Sequence, residues 1–251
     1  MTTAVRWLIV AITAVAMSAP VAAQRSTLVV SVATSVYDAL EEIAGLYRAA
    51  TGVTVALNAG GSNALARQLV EGAKAGLFLS ADEIQMDLVE KAGRVVSGTR
   101  TRLLTNELAI VAPRSDERTS LGSVLEGRIS RLAMGEPGAV PAGVYGRRWL
   151  EHEGAWARLQ PKVVPFPTVR AVLSAVEAGR VDAGIVYRTD VTTSSVREVA
   201  RVSRAQHLYL DISYPVAVIA GSSEGEARRF LQFLSGPAAR AVFDRRGFGR
   251  P

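Results

Sequence analysis

Four times along this chain a strand or loop ends in small or hydroxyl residues and turns straight into an amphipathic helix. Ala33-Thr34-Ser35 precedes Tyr37–Arg48, and Gly60-Gly61-Ser62 precedes Asn63–Glu71. Pro141-Ala142-Gly143 precedes Val144–Glu151, and Pro167-Thr168-Val169 precedes Arg170–Ala178. The first turn of a helix carries backbone N–H groups with no partner inside the helix and a partial positive charge, so each junction is a ready anion site. Four of them in a chain poor in catalytic residues imply a protein that holds a small anion.

The N-terminal residues read as a secretory leader. Arg6 supplies a positive start, Trp7–Met17 is an apolar run, and Pro20-Val21-Ala22-Ala23 ends in small residues, which places cleavage between Ala23 and Gln24. The apolar run is short for a membrane span. The sequence contains no cysteine, so the exported protein is neither disulfide-stapled nor anchored through a lipidated cysteine, and its core must hold it. At 251 residues the chain is long enough for one large or two small domains. Its formal charge is +6, one unit of which leaves with the leader. The basic residues are scattered and not interleaved with aromatics, which argues against nucleic acid as a partner. A mild positive field favours the approach of anions.

Hydrophobic periodicity predicts strands at Thr27–Val32, Val53–Leu57 and Leu77–Leu79, separated by helices, the second of which Gly72 closes. A further helix is predicted near Ala81–Ala92. This alternation is the pattern of a parallel sheet covered by helices. Leu103–Pro113 is a longer extended stretch suited to carrying the chain from one domain to another. The alternation then restarts: strands at Arg131–Met134, Lys162–Val164 and Ala183–Tyr187, with helices between them. Tyr214–Ala220 is again a long apolar strand, and helices near Glu224–Leu234 and Pro237–Arg245 complete the first domain, which makes about Asp211–Ala217 the second crossing.

Enzyme signatures are missing: there is no Gly-x-Ser-x-Gly elbow, P-loop or His-Glu-x-x-His. His152 and His207 have no neighbours at metal-ligand or triad spacing and read as surface residues, so no bare-cation site, catalytic residue or cofactor is expected. Asp82-Glu83 falls where a helix starts and reads as a cap favourable to the helix dipole. Ser35 and Ser62 can each be ordinary N-caps. Gly60-Gly61 tips the balance at Ser62, because a plain cap does not need two glycines and a close backbone approach does. Tyr187 ends an apolar strand, either as a core aromatic or with its hydroxyl turned to a site.

Several segments together resemble the periplasmic molybdate-binding proteins of ABC importers. They are VATSVYDAL (Val32–Leu40), GSNALARQLVEGAKAGLFLSADEIQMD (Gly61–Asp87), GEPGAVPAGVYGRRWLE (Gly135–Glu151), PTVRAVLSAVEAGRVDAGIVY (Pro167–Tyr187), YPVAVIAG (Tyr214–Gly221) and LSGPAARAVFDRRGFG (Leu234–Gly249). They keep the family's order and span nearly the whole exported chain. The resemblance implies an α/β, two-lobe periplasmic-binding-protein fold of type II, with parallel-rich sheets flanked by helices and two crossing strands as hinge. It implies a leader over 1–23, a first lobe from 24–105 with 213–251, and a second lobe over 106–212. By resemblance the oxyanion ligands are the hydroxyls of Ser35, Ser62 and Tyr187 and the backbone N–H groups of Ala142 and Val169. The implied ligand is molybdate or tungstate, molybdenum being bound as the oxyanion, and the implied partner is a membrane permease served by a monomer. The family pattern Gly-Ala-Pro-Ala-Asp is here Gly72-Ala73-Lys74-Ala75-Gly76, and Gly60-Gly61 stands where serines or other small residues are common. The lost acid is expected to alter packing and the glycines to loosen the Ser62 loop. Alternatives are another tetrahedral oxyanion such as sulfate, a secreted enzyme on the same lobes, and a regulatory sensor domain, whose DNA-binding N-terminus is replaced here by the leader.

Overall fold

The computed structural model describes residues 27–192, 194–221 and 223–251; the expected leader and cleavage point lie outside them. Among the described residues ten strands form two five-stranded sheets. They are β1 (Thr27–Ala33), β2 (Thr54–Gly60), β3 (Leu77–Leu79), β4 (Thr101–Thr105), β5 (Leu108–Pro113), β6 (Leu132–Gly135), β7 (Val163–Phe166), β8 (Ala183–Tyr187), β9 (Val196–Val202) and β10 (Ser213–Val218). The α-helices are α1 (Tyr37–Thr51), α2 (Ser62–Val70), α3 (Glu83–Lys91), α4 (Leu121–Leu125), α5 (Pro141–His152), α6 (Trp156–Leu159), α7 (Val169–Glu177), α8 (Arg188–Val191), α9 (Glu224–Leu234) and α10 (Pro237–Arg245).

The first sheet has the order β2-β1-β3-β10-β4 and the second β7-β6-β8-β5-β9. In each, three strands joined through helices run parallel, and the fourth and fifth add antiparallel pairings. The sheets are therefore mixed, with four of the five strands in each running the same way and β10 and β5 against them. The reason lies in the crossings. Only Asn106 and Glu107 separate β4 in the first sheet from β5 in the second, and 203–212 brings the chain back from β9 to β10. A strand delivered from the opposite sheet enters against the βαβ strands already there. Strand β9 has polar and apolar residues without strict alternation, and it pairs only on its β5 side, at the edge of the second sheet.

Both faces of the first sheet are covered, so its strands lack the alternation of a half-exposed sheet. On β3, Leu77 and Leu79 join the main core with Leu40, Ile43 and Phe230, while Phe78 joins Leu65, Leu69, Met86 and Val89 beneath α2 and α3. The last two helices return to the first sheet. Tyr47 of α1 meets Phe230 and Phe233 edge-on, with ring centroids 4.9 and 5.1 Å apart. Local signals set the helix ends. Gly52, in the left-handed region at φ 76°, stops α1, and the Thr168 hydroxyl caps α7 by accepting the Ala171 N–H. Pro141 is the first residue of α5, so the Pro-Ala-Gly segment expected to precede the helix is its first turn.

Candidate functional site

The parallel strands β1, β2, β6, β7 and β8 point their C-terminal ends at one cavity between the two sheets. Ends of this kind are where open α/β sheets bind ligands. The first sheet contributes Ala33-Thr34-Ser35, Gly60-Gly61-Ser62 and Ala81, and the second contributes Val140-Pro141-Ala142, Thr168-Val169 and Tyr187. All five residues singled out in the sequence border this cavity. Its volume is about 20 Å³, above the roughly 10–15 Å³ that a single water needs. Among the described residues no charged side chain lines it.

The hydroxyls are held by partners on their buried sides. Asn106 is the pivot. Its carbonyl accepts the Glu107 N–H at 2.9 Å, which fixes the amide orientation, and its NH₂ donates to Thr189 Oγ1 at 2.9 Å and to Tyr214 Oη at 3.1 Å. Tyr214 Oη, which accepts from Asn106, lies 3.0 Å from Ser35 Oγ, a bond in which either hydroxyl can donate. With Tyr214 as the donor, Ser35 accepts on its buried side and its hydrogen is left for the cavity. Ser62 is built the same way. It is not the N-cap of α2, which is Gly61; its Oγ accepts the Ala81 N–H at 2.9 Å and keeps its hydrogen for the cavity. The Tyr187 hydroxyl reaches the Ala81 carbonyl only at 3.5 Å, the outer limit of a hydrogen bond, so it is held weakly in the absence of a better acceptor. Burial holds the phenols of Tyr187 and Tyr214 well above the ordinary tyrosine range, so both remain donors at neutral pH.

Backbone donors complete the wall. Ala142 is the second residue of α5 and Val169 the first of α7, positions whose N–H groups have no carbonyl to bond within their helices. The two sheets also meet directly. A Cβ on Gly61 would lie 2.9 Å from the Pro167 carbonyl oxygen, so glycine lets the Ser62 loop come against the β7–α7 turn. The close approach expected of Gly60-Gly61 is thus a contact between the two halves. Arg170 of α7 pairs with Asp38 of α1 at 2.6 Å across the same gap. Its Nε stands 3.9 Å from Asp190, whose carboxylate accepts the Tyr187 N–H at 3.1 Å and steadies the end of β8. Burial pushes the Asp190 carboxyl up to about 7, against the opposing pull of Arg170.

Asp82 lies outside the lining and does what its position in the sequence suggests. It caps α3 by accepting the Gln85 N–H at 2.9 Å, while burial pushes its carboxyl up to about 6. At the departures from the family pattern, Lys74 is exposed. Gly76 is buried, and a Cβ there would lie 2.4 Å from Leu28 Cδ1 and 3.3 Å from Ala227 Cβ. The space of a side chain at position 76 is filled by β1 and α9. Sequence reasoning missed Asn106, Tyr214 and Ala81; the short link between the crossing strands was the one local signal for Asn106.

Two sheets joined by two crossings, with facing strand ends around a neutral cavity of donors, define a protein that captures a solute between its halves. The chain belongs to the bacterial extracellular solute-binding proteins, whose family pattern matches residues 28–249. It is 37% identical over 235 residues to the molybdate-binding protein ModA of Escherichia coli (strain K12), covering 90% of each chain. Among solved structures it resembles the substrate-binding domain of a putative molybdenum ABC transporter from Clostridium difficile. That likeness has a TM-score of 0.69 and 28% identity, and covers 90% of this chain and 99% of that one. The Azotobacter vinelandii periplasmic molybdate-binding protein shares the fold at a TM-score of 0.79 and 24% identity, over 89% of this chain and 99% of that one. The family is one of binding proteins, not of enzymes.

Proposed function

We propose that this chain captures molybdate, and tungstate with it, in the cavity between its sheets outside the cytoplasmic membrane, and delivers the anion as a monomer to the permease of an ABC importer. The observation that carries the reading is the donor set: hydroxyls of Ser35, Ser62 and Tyr187 and the N–H groups of Ala142 and Val169, with no carboxylate among them. A tetrahedral dianion needs donors from every side, and preorganised neutral dipoles supply them without a buried countercharge. The Escherichia coli and Clostridium difficile relatives, named for molybdate and molybdenum, support that choice of anion. The same reading removes 1–23 on export and divides the remainder into a first lobe of 24–105 with 213–251 and a second of 106–212. Membership of the two sheets supports that division. Each lobe brings part of the anion's shell, and binding closes the lobes about Asn106–Glu107 and 203–212. No cofactor takes part.

The test is a series of thermal melts of the untagged mature protein with molybdate, tungstate, sulfate and phosphate. A ligand that binds only the folded state raises the midpoint. Molybdate and tungstate are expected to give similar large shifts, and sulfate and phosphate small ones. A larger shift with sulfate than with molybdate would refute the assignment in favour of a sulfate receptor.

A further inference from the structure

Of the whole chain's residues only two are histidines, and the fold brings both to one place. His152 ends α5 and His207 lies in the crossing segment between β9 and β10, yet their ring centroids are 6.3 Å apart. Glu153 stands beside them, and one ligand atom from each of the three lies within 4.8 Å of the others. We propose that His152, Glu153 and His207 hold one divalent transition-metal ion of the zinc type, at a site outside the anion cavity.

The chemistry of the set selects the class of ion. Two imidazoles and one carboxylate suit Zn²⁺, Co²⁺, Ni²⁺ and Cu²⁺; Mg²⁺ and Ca²⁺ prefer all-oxygen shells. Zinc bonds of roughly 2.0–2.2 Å require ligand atoms nearer together than they stand here, and turning the exposed His152 and Glu153 side chains toward the half-buried His207 closes that gap. Glu153 and His207 border an open groove of about 310 Å³, so solvent can fill the remaining coordination position. Tyr209 orders the ligands. Its ring stacks on His152 with centroids 4.3 Å apart and planes inclined by 21°, and its hydroxyl lies 3.3 Å from His207 Nδ1. With Nδ1 engaged by Tyr209, Nε2 of His207 faces the ion, an outer-shell arrangement common around metal-bound histidines. A bound ion would tie the second crossing to the end of α5, the helix whose first turn walls the anion cavity.

The experiment titrates Zn²⁺ into untagged protein stripped with a chelator, by calorimetry, with Co²⁺ absorption as a spectroscopic readout. One ion per chain is expected, with no response to Mg²⁺. His152→Ala and His207→Ala should each weaken Zn²⁺ binding at least about tenfold. Metal-free melting points should stay near the wild-type value, since His152 is exposed and His207 half-buried at the protein's edge. Amide exchange over 203–212 should slow with Zn²⁺ in the wild type only. The absence of saturable Zn²⁺ binding would overturn the proposal. So would Zn²⁺ affinity unchanged in His207→Ala, which would put the ion elsewhere.

Discussion

Gly61→Ala separates the act of closing from the integrity of the lobes. Gly61 has φ −66° and ψ 135°, a conformation open to any residue, so the substitution strains no backbone. Its new Cβ would meet two oxygens: Asn63 Oδ1 at 2.8 Å, on a side chain that can turn, and the Pro167 carbonyl at 2.9 Å, on backbone that cannot. Relief to an ordinary contact of 3.4 Å requires the halves to part by about 0.5 Å at this point. The hydrogen bonds proposed from the second lobe to the anion, those of Ala142, Val169 and Tyr187, would then lengthen together. A bond to a charged acceptor is worth about 1.5–3 kcal/mol, so forfeiting the equivalent of one predicts roughly tenfold to hundredfold weaker molybdate binding.

The stability of the anion-free protein should scarcely change. Alanine is a poorer N-cap than glycine by up to about 1 kcal/mol, and a less flexible unfolded chain returns about 0.4–1 kcal/mol. The net shift in Tm is therefore a few degrees at most, at roughly 2–4 °C per kcal/mol for a chain of this size. Calorimetry with molybdate and melting without it measure the two effects on one sample. Affinity within a factor of two of the wild type would refute the reasoning, because the halves would then close without the Gly61–Pro167 contact.

Ser62→Ala removes one proposed donor to the anion and leaves the Ala81 N–H without its acceptor; calorimetry should show molybdate affinity about tenfold to hundredfold lower, and a loss of stability alone would make Ser62 merely structural. Tyr187→Phe keeps the buried ring and deletes only the hydroxyl, so the melting point should hold while stopped-flow release of the anion quickens; equal release rates would make Tyr187 a core residue. Asp190 titrates at about 7 in the fold against an ordinary 3.8, so its contribution is full below about pH 4 and is lost as pH rises through 7. Asp190→Asn should therefore flatten the fall in Tm between those values, and a slope equal to the wild type's would show that this carboxyl does not set it.

How much of this could be read in advance depended on distance along the chain. The junctions at Ser35, Ser62, Ala142 and Val169 are local patterns, small residues followed by an amphipathic face, and the structure brings all four to one cavity with Tyr187. The cap at Asp82 is local too. What stayed hidden was pairing across the chain. Ser35 meets Tyr214 from 179 positions away, and Asn106 reaches Tyr214 across 108. Nothing about either residue in its own segment announces those bonds. Strand β9 was missed because an edge strand needs no regular alternation. The histidines were read as surface residues because ligand spacing in sequence was lacking, and it was the fold that brought them together. Gly76 shows the converse: a departure from the family pattern that looked like a loss is packing filled by Leu28 and Ala227.

The network behind Ser35 bears on selectivity as well as affinity. Asn106 donates to Tyr214, and where Tyr214 in turn donates to Ser35, Ser35 is left to meet the proposed anion with its hydrogen. A fully deprotonated dianion is satisfied by that arrangement. Hydrogen phosphate carries a proton that needs an acceptor, and a Ser35 oxygen occupied by Tyr214 is a poor one. Tyr214→Phe keeps the ring, which packs against Tyr187 and Phe248 with centroids 5.7 and 5.6 Å apart, and deletes only the relay. Molybdate should lose little, because the lost bond is between neutral hydroxyls and worth about 0.5–1.5 kcal/mol, at most roughly tenfold. Phosphate should lose less or gain, because the freed Ser35 oxygen can now accept its proton. The ratio of the two dissociation constants, measured by calorimetry at one pH, should therefore narrow in Tyr214→Phe. A ratio equal to the wild type's would mean that cavity size, not the direction of the hydroxyl chain, excludes phosphate.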